Sequence, residues 1–380
     1  MHPSSPSVVI FGSSRPVTCA VMDYAHRLAD AINARRPGFI AIETIEPERP
    51  AAFVGAIVRA LRSGRIVHFQ LPIEGWGNAL LPGVVLMAAR LMTRRGKIVI
   101  SLHEWMSLNP LRHLSLVPDL LASDAFVFVS RQQRESFLTT PLVGRAKKEA
   151  APVIPIGPNI MPAQIDPERV AAERVRLLAS GERRAELVVG FFGALYTSKR
   201  PDMLLRTLAA LHQRGTNARL LVCGDFLWDK PQDRQAFLDL ADELGIRDWL
   251  DFRGRIDDEG ELMATLSAAD VFLLPFTDGI STRRGSFLAI SQIAAPLVST
   301  RPERSDEFDD TPVLRAKIES PATILCAVDA SADDFAEAIL LADRNRASAA
   351  PVELNALWDD AAVAHLAFYD GLSQPSPSAS

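Results

Sequence analysis

Short apolar runs recur along the whole chain, and each is followed by a stretch with helical spacing of its apolar residues. In the first half they read "SVVIF", "FIAIE", "IVHFQ", "KIVISL", "AFVFVS" and "PVIPIG". In the second they read "ELVVGFFG", "ARLLVCG", "LDFRG", "DVFLLPF", "PLVST" and "TILCAV". Continuous β-branched and aromatic runs of this length suit strands buried on both faces, and strands alternating with helices give parallel sheets flanked by helices. The chain is 380 residues long, more than one ordinary core supports, so two such series imply two α/β Rossmann-like domains.

The helices are readable in the same way. In "RPDMLLRTLAALHQRG", Met203, Leu204, Leu208 and Leu211 share one face, Pro201 stands in the first turn and Gly215 follows the end. The segment "IPIGPNIMPAQIDPE" marks a boundary, because Pro155, Pro158, Pro162 and Pro167 interrupt any regular element. The expected domains are residues 1–160 and 161–350. The tail "SQPSPSAS" is predicted to be disordered.

Several function classes are disfavoured. After the first run, "FGSSRPVTCAVMDYAHRLADAI" holds only Gly12 and no G-x-G-x-x-G, so the backbone cannot approach a dinucleotide as a Rossmann dehydrogenase requires. There is no G-x-x-x-x-G-K-[ST] loop and no G-x-S-x-G elbow, which disfavours P-loop nucleotidases and α/β-hydrolases. Cys19, Cys223 and Cys326 are scattered without metal-ligand spacing, so neither a disulfide framework nor a metal site is expected. "MHPSSPSVVIFG" lacks a basic region followed by a long apolar run, and a cytoplasmic location is expected.

Charge is unevenly spread. Residues 1–160 carry 18 Lys and Arg against 11 Asp and Glu, and the remainder carries 23 against 35, which recovers the net −5. A basic half can draw in an anionic lipid surface or a phosphorylated acceptor. Exposed charges on "VRALRSGR" and "RLMTRRGK" would be the contacts for peripheral association with the inner membrane face. The half is not basic enough, nor rich enough in interleaved aromatics, to indicate nucleic acid.

"TDGISTRRGS" follows "ADVFLLPF" directly, so two arginines stand in the loop after a buried strand. In open α/β sheets ligands bind at the carboxyl ends of strands. The loop after "VVGFFG" holds Lys199, and "SLHEW" places His103, Glu104 and Trp105 at another strand end.

The order and spacing of "VVGFFGALYTSKRPDMLLRTLAAL", "ARLLVCGD", "WLDFRGRIDDEGELMATLSAADVFLLPF", "DGISTRRGSFLAISQIAAPLVST" and "LWDDAAVAHLAFYDGL" resemble the donor half of the family 4 retaining glycosyltransferases. The similarity is clearest over about residues 187–300. It implies the GT-B fold, two Rossmann-like domains facing each other across a cleft, with residues after about 351 crossing back as a helix to the first domain.

The resemblance also implies site residues. Lys199 matches the phosphate-binding lysine, next to Gly193. Where the family carries a glutamate, seven residues and a second glutamate, this chain has Asp278 and Ser286. The family's arginine ahead of the lysine is absent, and Arg283 or Arg284 is expected to replace it, the other being solvated. Backbone amides around Gly279, Ser281, Thr282 and Arg283 are expected to open the helix "RRGSFLAISQI" and cradle a diphosphate. His103 and Asp278 would position the donor sugar, and Glu104 the acceptor hydroxyl, unless its role is structural. Trp105 is either an acceptor platform or a buried anchor.

The implied activity is metal-independent transfer, with retention, of a sugar from a nucleotide-diphosphate donor. No cofactor is expected, and the acceptor would be a carbohydrate or lipid-linked saccharide in polysaccharide or glycolipid assembly. The departures from the family pattern keep a second reading open, a degenerate glycosyltransferase-like protein that binds without turnover. An epimerase of the same architecture is a third.

Overall fold

The computed structural model describes residues 6–13, 20–44, 49–73, 80–106, 108–140, 151–160, 165–179, 184–226 and 231–373. The chain divides into two compact units, Met1–Asn159 with Asn355–Ser380, and Ile160–Leu354.

In the first unit the order is β1 (Val8–Gly12), α1 (Ala20–Arg35), β2 (Ile40–Thr44), α2 (Pro50–Arg62), β3 (Ile66–Leu71), α3 (Leu81–Met92), β4 (Lys97–Leu102), α4 (Pro110–Ala122), β5 (Ala125–Phe128) and α5 (Arg131–Leu138). The strands pair in parallel in the order β2-β1-β3-β4-β5. Strands β1, β3 and β5 are buried at every position, which is why they read as unbroken apolar runs. Phe11, Phe53 and Phe69 fill the space between sheet and helices. Helix α4 starts where the Asn109 side chain accepts from the Arg112 amide, and α5 where Ser130 accepts from Gln133.

The second unit runs α6 (Pro167–Ala179), β6 (Leu187–Phe192), α7 (Pro201–Gln213), β7 (Ala218–Cys223), α8 (Pro231–Glu243), β8 (Leu250–Gly254), α9 (Glu259–Ser267), β9 (Val271–Leu274), α10 (Gly285–Ser291), β10 (Leu297–Thr300), α11 (Pro312–Ile318), β11 (Thr323–Cys326) and α12 (Ala332–Arg344). Its parallel sheet has the order β11-β10-β9-β6-β7-β8. The chain leaves β6 toward β7 on one side and returns to β9 on the other, so the strand order reverses between β6 and β9. Such a reversal is where open α/β sheets bind ligands, outside the strands' carboxyl ends. Gly190 lets the two strands close, since a Cβ there would stand 2.6 Å from the Phe272 ring.

The last helix, α13 (Asn355–Ser373), belongs to the first unit and packs against α1. Trp358 lies flat on Gly157 and donates its indole N–H to the Pro158 carbonyl at 2.9 Å. The Tyr369 hydroxyl pairs with His68 Nδ1 at 2.6 Å, in the middle of the sheet's face.

One expected strand is absent. "PVIPIG" forms only a single bridge, Val153 to Phe128, because its prolines lack the N–H that a ladder needs. Residues 14–19, with Cys19, and those beyond 373, expected to be disordered, lie outside the described residues.

Candidate functional site

The loops after β6 and β9 meet at the reversal point of the second sheet, where the Thr277 amide donates to the Ser198 carbonyl at 3.1 Å. After β6 the chain passes Gly193, makes a 3-10 turn over Thr197–Lys199 and enters α7. Arg200, between turn and helix, has φ 46°, the left-handed region that non-glycine residues rarely occupy. Its guanidinium ties that conformation to the Val328 carbonyl at 2.9 Å. The turn carries Lys199 inward rather than into solvent, leaving it 6% exposed.

The Lys199 ammonium donates to Ser286 Oγ at 2.5 Å and lies 4.6 Å from the centre of the Phe276 ring. The Arg284 guanidinium, 8% exposed, lies 4.7 Å from the same ring. Gly193, at φ 121°, leaves room for this group, since a Cβ there would stand 3.3 Å from Ser286 Cβ and 3.5 Å from the ammonium. Burial first, and the neighbouring Arg284 charge second, push Lys199 down to about 7, with Asp278 acting the other way.

Asp278 forms ion pairs with Arg284 and with Arg283, the latter at 3.5 Å. Neither arginine is solvated, contrary to the expectation that one would be; the Arg283 side chain is only 14% exposed. Asp278 therefore holds the two guanidiniums together, and its carboxylate is not left free for a sugar hydroxyl alone. The expected amide cradle is also altered. Thr282 donates its backbone N–H at 2.9 Å and its hydroxyl at 3.0 Å to the Glu307 carboxylate, and α10 starts only at Gly285. Gly279, at φ 78°, is needed for close packing, since a Cβ would meet the Arg301 carbonyl oxygen at 2.1 Å. Three buried polar atoms in this loop have no protein partner: Ser281 Oγ, Arg283 Nε and Arg284 Nε.

The structure thus brings Gly193, Lys199, Asp278, Arg283, Arg284 and Ser286 into one cluster. Sequence reasoning missed Phe276, the ring under both cations, and Glu307. Phe276 closes the apolar run "VFLLPF" and is visible there as its last residue. Glu307 comes from 25 residues beyond Thr282, with no local signal.

In the first unit, His103 and Glu104 follow the carboxyl end of β4. His103 is buried, with Nε2 2.8 Å from Gln70 Oε1 and its ring edge-on to Tyr24 at 4.7 Å. Burial, with a smaller contribution from His365, lowers it to about 3, so it is neutral at pH 7. Glu104 is exposed. Trp105 is no acceptor platform. It is 6% exposed, edge-on to Phe137 and His113, and its amide is held by Gln133, which makes it a buried anchor.

Residues 186–342 match the family model described as Glycosyl transferases group 1. No curated protein matches the chain in sequence. Solved structures with the same fold include Anabaena Alr3699/HepE in complex with UDP and glucose, 15% identical, covering 97% of this chain and 98% of that one at TM-score 0.66. Sucrose-phosphate synthase from Thermosynechococcus elongatus is 17% identical, covering 97% and 99% at 0.63. WaaG, a glycosyltransferase involved in lipopolysaccharide biosynthesis, is 16% identical, covering 93% and 98% at 0.59. Residues 186–342 thus match the glycosyltransferase group 1 model, and the two parallel-sheet Rossmann-like units have the GT-B fold of these solved structures.

Proposed function

We propose that this chain is a retaining glycosyltransferase that moves a sugar from a nucleoside-diphosphate donor to a carbohydrate or lipid-linked acceptor. The observation that carries the reading is the charge and hydrogen-bond imbalance at the β6–β9 reversal. Three cationic side chains, Lys199, Arg283 and Arg284, stand against two carboxylates, Asp278 on the arginines and Glu307 on Thr282, and buried donors on both arginines and on Ser281 lack an acceptor. A diphosphate supplies the negative charge and the acceptor oxygens that this group lacks. HepE, which has the same fold, was solved with UDP and with UDP-glucose.

As the bond from the anomeric carbon to the phosphate oxygen breaks, its electron pair goes to the leaving diphosphate. Lys199 and the two arginines stabilise the charge that builds there, in a setting dry enough for it to count. In front-face transfer the acceptor oxygen bonds to the same face of the sugar, and its proton passes to the leaving phosphate. No side chain needs to form a covalent intermediate, and the chain's own cations do what a divalent metal would otherwise do. Asp278 acts through the arginines that it fixes. His103, a neutral imidazole, and Glu104 are assigned to the sugar and the acceptor hydroxyl.

The test is donor hydrolysis across a panel of nucleotide sugars, with and without EDTA, in wild type and Arg284→Ala. The expected result is nucleoside diphosphate release with one donor, unchanged by EDTA and reduced ~100-fold or more in the variant. Donor binding without release from any sugar would favour the non-catalytic binding protein instead.

A further inference from the structure

Helices α3 and α4 bury one apolar face each against the first sheet, through Val85, Leu86 and Ala89 on α3 and Leu116 and Leu120 on α4. Each also carries a second apolar stripe on the opposite side. Along α3 it consists of Val84, Met87 and Leu91, with Leu80 capping the helix start, four positions within one narrow arc at 3.6 residues per turn. On α4 it consists of Leu111, Leu114 and Leu121. These side chains are exposed, Leu91 at 87%, Leu111 at 70% and Leu114 at 63%. The helices lie side by side because Gly83 has no Cβ, which would otherwise stand 2.8 Å from Pro118 Cβ. Two stripes on adjacent helices make a contiguous apolar face, which a soluble surface seldom exposes without use.

The border of this face is basic. The turn after α3 presents Arg94 and Arg95, and β4 opens with Lys97, all exposed. It lies against the turn after α2, where the Lys97 amide donates to the Arg65 carbonyl at 3.3 Å and Arg62 is exposed. From residue 80 to residue 103 the sequence has no Asp or Glu. Asp124 is paired with Arg90, and Asp119 is buried in α4.

We propose that the α3–α4 face docks on an anionic lipid bilayer, with the leucines of both stripes entering the headgroup boundary and the Arg94–Lys97 turn contacting lipid phosphates. Charge complementarity selects this occupant. A second copy of the chain would meet the same basic border across a two-fold axis and be repelled, whereas an anionic surface answers both the apolar and the basic part. No helix among the described residues is long and apolar enough to cross a membrane, so the contact would be peripheral. The proposal stands on the first unit's surface and is independent of the donor-site reading.

The experiment is flotation of the full chain with phosphatidylcholine vesicles, with and without phosphatidylglycerol, at low and high salt. Two variants accompany it, Arg94→Gln/Arg95→Gln/Lys97→Gln and Leu91→Ser/Leu114→Ser. All five positions are exposed, and thermal unfolding at the wild-type temperature confirms the fold of each variant. The expected result is binding only to phosphatidylglycerol vesicles, lost at high salt and weakened on the order of 100-fold by the charge variant. The serine variant should bind at least about tenfold more weakly even at low salt. No binding to anionic vesicles at low salt, or binding that neither variant alters, overturns the proposal. So does a wild-type dimer that the serine variant dissociates, which would make the occupant a second copy.

Discussion

Lys199 and Ser286, 87 residues apart in sequence, meet at 2.5 Å between the end of β6 and the start of α10, and among the described residues the serine is the ammonium's one hydrogen-bond acceptor. A hydroxyl cannot balance a buried positive charge, so keeping the lysine charged there costs the fold stability.

That cost has a pH signature. The folded-state value of about 7 lies below the ordinary lysine value of 10.5. Between the two the unfolded chain holds a proton that the folded chain lacks, so Lys199 makes stability rise with pH across this window. The slope is up to ~1.4 kcal/mol per pH unit. Lys199→Met should be more stable than wild type, most of all below pH 7, with the difference shrinking as pH rises toward 10.5. Urea unfolding of both proteins at a series of pH values checks it.

The same group should set the pH dependence of diphosphate binding. Free protein should bind a nucleoside diphosphate less tightly as pH rises through about 7, because the ammonium loses its proton. Lys199→Arg, charged throughout, should flatten this loss. Titration calorimetry at matched pH values separates the lysine from the ligand's own titration, which is common to both proteins.

Glu307 offers a third test, because its carboxylate occupies two donors of Thr282 beside the cations. Glu307→Gln keeps an acceptor oxygen and removes a negative charge, so stability should hold within about 1 kcal/mol and diphosphate affinity should rise. Glu307→Ala leaves buried donors unpaired and should cost ~1–3 kcal/mol. Denaturant melts and binding curves of the pair distinguish the two effects.

A fourth concerns α13, whose Tyr369 reaches His68 in the sheet. Tyr369→Phe removes that hydrogen bond between fully buried partners and should destabilise the protein by ~1–3 kcal/mol. Gly157→Ala should be worse than a surface substitution, since the new methyl would stand 2.5 Å from the Trp358 ring. Thermal unfolding measures both.

Much of this architecture is legible in the sequence because parallel strands covered on both faces leave unbroken apolar runs, as at β3 and β7. "PVIPIG" imitates such a run, and only its missing proline N–H groups betray it. Lys199, Asp278 and Arg284 stand out because they follow buried strands, at the ends where open α/β sheets bind ligands. The pairing of Asp278 with both arginines was hidden, because the fold of a loop decides which charges face each other. Glu307 was hidden for a different reason, its partner being brought near only by tertiary packing. Trp105 shows the limit from the other side: an aromatic at a strand end reads first as a buried anchor and second as a platform, and its burial among Phe137 and His113 decides for the anchor.

The most direct test of the donor site is thermal unfolding of wild type and Lys199→Ala against UDP, GDP, ADP, CMP and dTDP without added metal. One nucleoside diphosphate is predicted to stabilise the wild type by ~2.7 kcal/mol at 100 times its dissociation constant. The variant should show no shift at the same concentration. A wild type that none of them stabilises at millimolar concentration, or a variant that shifts as much as wild type, would contradict a diphosphate site built on Lys199.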